Sequence, residues 1–253
     1  MNNSKCIRTT HWEFRKQDSI NGYNLEFMHK YTSEITNEMW DELESRVKKS
    51  NIKIISLCDT FRNTSIKSLT IPDRYLYLFN AVSQCVFMFH GSKIEHIDIK
   101  LHNTSLTYID DFCRNCTKLQ CANISLPNVA GIRRGFEGCV ELTNLSISIN
   151  NKVNNYINLQ GVCNGCSKLN SLNFKFTRYA FLDLDPRSFR NTNIHNEIIS
   201  YFEYDHRKYK FRLTNSKPKS VSKIEDVFGK FNKSIVFVET YTNHISKCKS
   251  LIV

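Results

Sequence analysis

Residues 136–147 read F-E-G-C-V-E-L-T-N-L-S-I. Nearly the same phrase stands at residues 163–174 (C-N-G-C-S-K-L-N-S-L-N-F) and 113–124 (C-R-N-C-T-K-L-Q-C-A-N-I). In all three, apolar residues fall at offsets 0, 3, 6, 9 and 11 from the first position. Two copies shorter by one residue begin at Phe61 (F-R-N-T-S-I-K-S-L-T-I) and Phe89 (F-H-G-S-K-I-E-H-I-D-I), and a degenerate one begins at Phe189 (F-R-N-T-N-I). Successive starts lie 28, 24, 23, 27 and 26 residues apart. A self-similar unit of this length is the signature of a solenoid, in which each copy buries its apolar side only against its neighbours.

The end of each phrase alternates apolar and polar residues, as in Leu145-Ser146-Ile147 and Ile97-Asp98-Ile99. Period two marks a strand with one buried face. The inward positions are then Ile66, Leu69 and Ile71; Ile94, Ile97 and Ile99; Leu119, Ala122 and Ile124; Leu142, Leu145 and Ile147; and Leu169, Leu172 and Phe174. The opening Phe or Cys, with the small residue three places on, fits one helical or tight turn on the opposite wall. Spacings of 28 and 27 imply insertions in two loops.

These units, with a proline after the strand at Ile71-Pro72 and Leu126-Pro127, resemble the BspA-like leucine-rich repeats, which run roughly F-x-x-C-x-x-L-x-x-L-x-L/I-P. The resemblance covers about residues 56–200. It implies an α/β-type repeat solenoid with a parallel β-sheet face, a helical N-terminal cap and a β-containing C-terminal cap. Members of that family are mostly surface, secreted or host-directed proteins that bind other proteins, so it implies a protein partner and no catalytic residue. It divides the chain into a leader and cap (1–55), a solenoid of about six repeats (56–200) and a basic C-terminal cap (201–253).

At 253 residues and 41% hydrophobic content the chain can bury a full core, and it contains no run of about 18 apolar residues that would span a membrane. The first twelve residues, M-N-N-S-K-C-I-R-T-T-H-W, lack the apolar centre of a secretory signal and read either as a frayed terminus or as an export leader. Of ten cysteines, Cys113, Cys116, Cys139, Cys163 and Cys166 occupy repeat positions filled elsewhere by Phe or a small residue. That makes them small core hydrophobes in a reducing compartment, the cytoplasm or, for an exported effector, a host cell. The C-x-x-C pairs Cys113/Cys116 and Cys163/Cys166 also admit a zinc or redox reading, but the equivalent pair in the intervening copy is Phe136/Cys139. No cofactor is called for. N-x-S/T triplets at Asn63, Asn103, Asn115, Asn123, Asn144 and Asn232 reflect richness in Asn and Ser.

Ahead of the repeats, residues 33–49 are predicted to be an amphipathic helix with Ser33 as N-cap, an apolar stripe of Ile35, Met39, Leu43 and Val47, and Trp40 beside it. The apolar run 74–89 is expected to add a buried strand or a hairpin. Beyond Phe189 the pattern decays. Residues 215–223 read as an exposed loop, 224–231 as a short helix and 234–241 as a strand.

Function is expected on one of two surfaces. The outward strand residues are Ser68 and Thr70; His96, Asp98 and Lys100; Cys121, Asn123 and Ser125; Asn144, Ser146 and Ser148; and Ser171, Asn173 and Lys175. Being mostly small and uncharged, they predict a flat hydrogen-bonding face suited to protein recognition. The net charge of +11 is uneven: nine basic residues stand against eight acidic over 1–55, 15 against 11 over 56–200, and 11 against five over 201–253. Arg207, Lys208, Lys210, Arg212, Lys217, Lys219 and Lys223 interleave there with Tyr204, Tyr209 and Phe211, which suits a nucleic-acid backbone with stacked bases. The histidines show no metal-ligand spacing, and phosphate-cradling or nucleophile-elbow glycine motifs are missing. The sequence thus predicts a non-enzymatic protein-binding solenoid, an effector acting in virulence among its family-implied roles. The alternatives are a nucleic-acid-binding or phage-defence factor, and an enzyme dependent on Cys121 or Cys248.

Overall fold

The fold was analysed on a computed structural model that describes residues 6–17, 21–101, 106–126, 128–149, 156–176, 181–184, 187–192, 212–213 and 238–239. The chain winds a parallel β-solenoid of about four turns. Its main sheet runs β5 (Ser68–Thr70), β6 (His96–Lys100), β7 (Cys121–Leu126), β8 (Asn144–Ile149) and β10 (Ser171–Phe176), all parallel. β13 (Val238–Glu239), which lies within the strand expected over 234–241, adds to the edge of β10. The repeats stack without a slip: Leu69 faces Ile97, then Ala122, Leu145 and Leu172.

That column and the next, Ile99, Ile124 and Ile147, are buried, as are Ile66, Ile94, Leu119, Leu142 and Leu169. Every predicted inward residue whose side chain is described is therefore in the core.

The opposite wall is built of tight turns rather than helices. Single bridges link Ser56, Gln84, Tyr108, Gly131 and Asn158, and the last belongs to β9 (Tyr156–Asn158), which pairs with β11 (Phe181–Leu184) and then β12 (Arg212–Leu213). Each turn donates backbone N–H groups to the next coil, as from Phe61 to Met88 O (2.8 Å), Phe89 to Phe112 O (2.8 Å) and Phe136 to Val162 O (2.8 Å). The turn closes because two residues per coil adopt the left-handed conformation. The second of these is the Asn or Gly two places after the opening Phe or Cys: Asn63, Gly91, Asn115, Gly138, Gly165 and Asn191. These are the residue types that tolerate positive φ. Asn191 shows that the degenerate copy at Phe189 makes the same turn.

The cysteines behave as packing residues. Where the opening position is small, its predecessor is larger: Phe112 precedes Cys113 and Val162 precedes Cys163, whereas Gly135 precedes Phe136. Phe61 stacks on Phe89 at a centroid distance of 5.3 Å, and Phe89 meets Phe112 edge to face at 5.2 Å. Three places on, the thiols of Cys116, Cys139 and Cys166 donate to the carbonyls of Phe89 (2.9 Å), Cys113 (3.0 Å) and Phe136 (3.0 Å) in the preceding coil. Thr64 and Thr192 hold the same position but donate within their own coil, to Phe61 O (2.8 Å) and Phe189 O (2.7 Å). The column needs a small donor, and sulfur and oxygen both serve. Burial pushes the Cys113, Cys139 and Cys163 thiols well up from their ordinary value.

The N-terminal cap is more of a sheet than the sequence suggests. β1 (Cys6–Arg8), β2 (Trp12–Gln17) and β3 (Gly22–Phe27) form an antiparallel meander, and β3 joins the solenoid through β4 (Ile54–Ser56). The stretch expected to be a frayed terminus or export leader is thus part of the cap from Cys6 onward, with Trp12 wholly buried. Helix α1 spans Asn37–Ser50 and starts after Thr36, not Ser33. Ser33 instead accepts a hydrogen bond on its carbonyl from Lys67 N (2.7 Å), which ties the segment to the first coil before the helix begins. Trp40 and Leu43 are its buried residues, while Ile35, Met39 and Val47 pack on the core from the side.

The insertion within 74–89 is neither strand nor hairpin. Residues Asp73–Phe79 form a 3-10 helix after Pro72, burying Tyr75, Leu78 and Phe79 at a spacing of three to four. Tyr75 stacks on Trp40 (5.8 Å) and its hydroxyl donates to Asp41 Oδ1 (2.7 Å), so the longest insertion is the seat of helix α1. The expected loop at 215–223 and helix at 224–231 lie outside the described residues, as does most of the C-terminal cap.

Candidate functional site

Three rows of outward side chains cross the main sheet in register. The first is Ser68, His96, Cys121, Asn144 and Ser171; the second Thr70, Asp98, Asn123, Ser146 and Asn173; the third Lys100, Ser125 and Ser148, with the backbone of Lys175 in register beside Ser148. The residues assigned to this face from the sequence, Lys175 apart since its side chain lies outside the described ones, therefore do share one surface. It is not flat. The first two rows line a shallow groove of about 330 Å³ whose floor is formed by Ile97, Ala122 and Leu145 between the small side chains.

Polar order within the groove is partial. Asn123 Nδ2 donates to Asp98 Oδ1 across neighbouring strands (3.0 Å), and Asn144 Nδ2 donates to Thr143 Oγ1 (3.0 Å). Asn173 Oδ1 is shielded from solvent and accepts no hydrogen bond among the described residues. A shielded acceptor without a donor is costly, and a bound partner's N–H would satisfy it.

The first row sets His96, Cys121 and Asn144 side by side on three strands. Asn144 Nδ2 reaches the Cys121 sulfur at 3.7 Å, and no hydrogen bond joins His96 to Cys121 among the described residues. Both C-x-x-C pairs are buried in the solenoid.

Beside the groove lies a second cleft, of about 530 Å³, at the strands' entry. Lys67, Lys93, Glu95, Lys118, Gln120 and Glu141 line it with Ser33 and Ser65. Sequence reading missed this surface, although its signal was present: the position four or five places after each opening Phe or Cys carries Ser65, Lys93, Lys118, Glu141 and Lys168. Lys168 Nζ pairs with Glu141 (2.6 Å) and Lys67 Nζ lies 3.9 Å from Glu95, while Lys93 and Lys118 are exposed and have no ion-pair partner among the described residues.

The turn wall is charged but internally matched. Asp111, 2% exposed, is bonded by Arg134 (2.8 Å) and faces Arg114 (3.4 Å), and Arg133 pairs with Asp110 (3.4 Å). Burial raises the Asp110 carboxyl above its ordinary value.

Of the basic C-terminal residues, Arg212 lies in β12; Arg207, Lys208, Lys210, Lys217, Lys219 and Lys223 lie outside the described residues, as does Cys248. No helix among the described residues is long and apolar enough to cross a membrane. Comparison with known proteins finds no matching family model, no matching curated protein and no matching solved structure.

Proposed function

We propose that the chain is a non-enzymatic protein-interaction module of the BspA-like leucine-rich type, and that its ligand is a polypeptide held on the grooved face of the main sheet. The observation that carries this is the register. Five strands place mostly small polar side chains, with Asp98 as the carboxylate among them, in two continuous rows over a groove, and Asn173 Oδ1 there accepts no hydrogen bond among the described residues. A peptide backbone needs such alternating donors and acceptors, and small side chains let it approach closely. No Phe, Tyr or Trp lines the groove among the described residues, so His96 is its one ring and base stacking finds no extended platform there.

The test is affinity capture from nuclease-treated lysate with the wild type and an Asn123/Ser146/Asn173→Arg variant, followed by titration of both with the purified captured protein. Loss of binding by a variant that melts like wild type supports the reading. Equal binding by both overturns it, and capture abolished by nuclease alone favours the basic C-terminal residues on nucleic acid.

A further inference from the structure

The groove and the lysine-lined cleft are adjacent: Lys67, Glu95 and Gln120 each immediately precede a first-row residue, Ser68, His96 and Cys121. We infer that the cleft selects the partner, and that the polypeptide bound on this face is an extended acidic segment whose carboxylates meet Lys93 and Lys118. The inference rests on the proposed interaction function and adds the chemistry of the partner.

Charge accounts for the choice. Both carboxylates of the cleft already face lysines, Glu95 facing Lys67 and Glu141 facing Lys168. Lys93 and Lys118 stand on consecutive coils as the unmatched charges, and Lys100 adds a third exposed lysine across the groove. The only carboxylate lining the groove among the described residues, Asp98, is held by Asn123 at 3.0 Å. Strands of one sheet are spaced by about 4.8 Å, so Lys93 and Lys118 are about one coil apart and the five strands span roughly 19 Å, the reach of about six extended residues. A segment crossing the strands, with side chains alternating to its two sides, sets acidic residues over the cleft and its backbone over the groove.

The probe is a fluorescein-labelled peptide of alternating Glu and Ser, compared by anisotropy with its Lys–Ser counterpart and with a single-stranded oligonucleotide, all on the full chain. The Glu–Ser peptide is expected to bind in preference to the Lys–Ser peptide. Lys93→Glu/Lys118→Glu should weaken it roughly fivefold to tenfold, and Asp98→Asn should tighten it by about two- to threefold. The gain from Asp98→Asn is a readout that misfolding does not mimic. Equal binding of the two peptides, no effect of the lysine reversal, or tighter lysine-dependent binding of the oligonucleotide each overturns the inference. With the captured protein as ligand, retention by the lysine variant and loss by the Asn123/Ser146/Asn173→Arg variant sinks the acidic partner while sparing the interaction surface; retention by both sinks the two together.

Discussion

Asn123 donates its side-chain amide to the carboxylate of Asp98 on the neighbouring strand at 3.0 Å, the single side-chain hydrogen bond that ties two second-row positions together among the described residues. The pair is exposed at Asn123 and half-buried at Asp98, so it shapes the surface more than it holds the sheet. Asn123→Ala should change stability by less than about 0.5 kcal/mol, because substitutions at exposed positions away from packing are nearly neutral. A fall in melting temperature as large as that of a core variant would show that the rows are structural.

The layer beneath them is a different case. Leu145 and Leu172 are 2% and 1% exposed and face each other in the inward column. Leu145→Ala or Leu172→Ala should cost about 2–5 kcal/mol, the lost transfer energy plus the cavity left behind. Urea unfolding measures this directly, and near-neutral values would mean that the strand register is off by one residue.

On the turn wall, Asn115 Oδ1 lies 2.5 Å from where a Cβ on Gly138 would stand, and Gly138 has φ +76. Asparagine in one coil therefore crowds any side chain at the matching position of the next, in addition to the positive φ that already favours glycine there. Gly138→Ala should destabilise by roughly 1–3 kcal/mol through both the backbone conformation and the clash. Adding Asn115→Gly should recover only the steric part, which a double-mutant cycle resolves as a coupling between the two sites.

The thiols separate by environment. Cys6 is exposed, Cys58 and Cys121 are half-buried, and Cys85, Cys113, Cys116, Cys139, Cys163 and Cys166 are buried. Among these nine cysteines, Ellman's reagent on native protein should modify Cys6 first and reach the buried column only on unfolding, since the core closes those sulfurs to the reagent. Mass mapping that found Cys121 modified far faster than Cys6 would instead favour a Cys-dependent enzyme.

Acid should loosen the N-terminal cap. Burial works against the charge on Glu13, but hydrogen bonds from Arg15 (2.5 Å), the Cys6 thiol and Arg8 (2.7 Å) hold its carboxyl below the ordinary value of 4.5. A depressed carboxyl contributes its full stability above the unfolded value and loses it as pH falls through the native one, so the effect belongs below about pH 4.5. Glu13→Gln should cost about 1–3 kcal/mol near neutrality and much less in acid. A cost independent of pH would place the effect in packing instead.

The coil was legible in the sequence because a solenoid repeats its constraints. Each copy needs the same inward residues, so Leu69, Ile97, Ala122, Leu145 and Leu172 announce one column by spacing alone, and the Cys-for-Phe exchange between Cys113 and Phe136 marks the cysteines as packing residues. The helix of the cap was also visible, through Met39, Leu43 and Val47, although its start was not. Ser33 has the chemistry of an N-cap, but its carbonyl is engaged by Lys67.

What spacing determined, then, was the winding, the buried columns and the identity of the outward rows, since these depend only on the period of the chain. The tertiary structure decided the rest, because it depends on what residues distant in sequence do to one another. It made the insertion at Asp73–Phe79 a seat for Trp40, turned the expected flat face into a groove, and gathered Lys93 and Lys118 beside it. The repeat offset does mark Lys93 and Lys118 as equivalent positions, but which charges they meet, and that a groove lies beside them, is decided only when the coils stack.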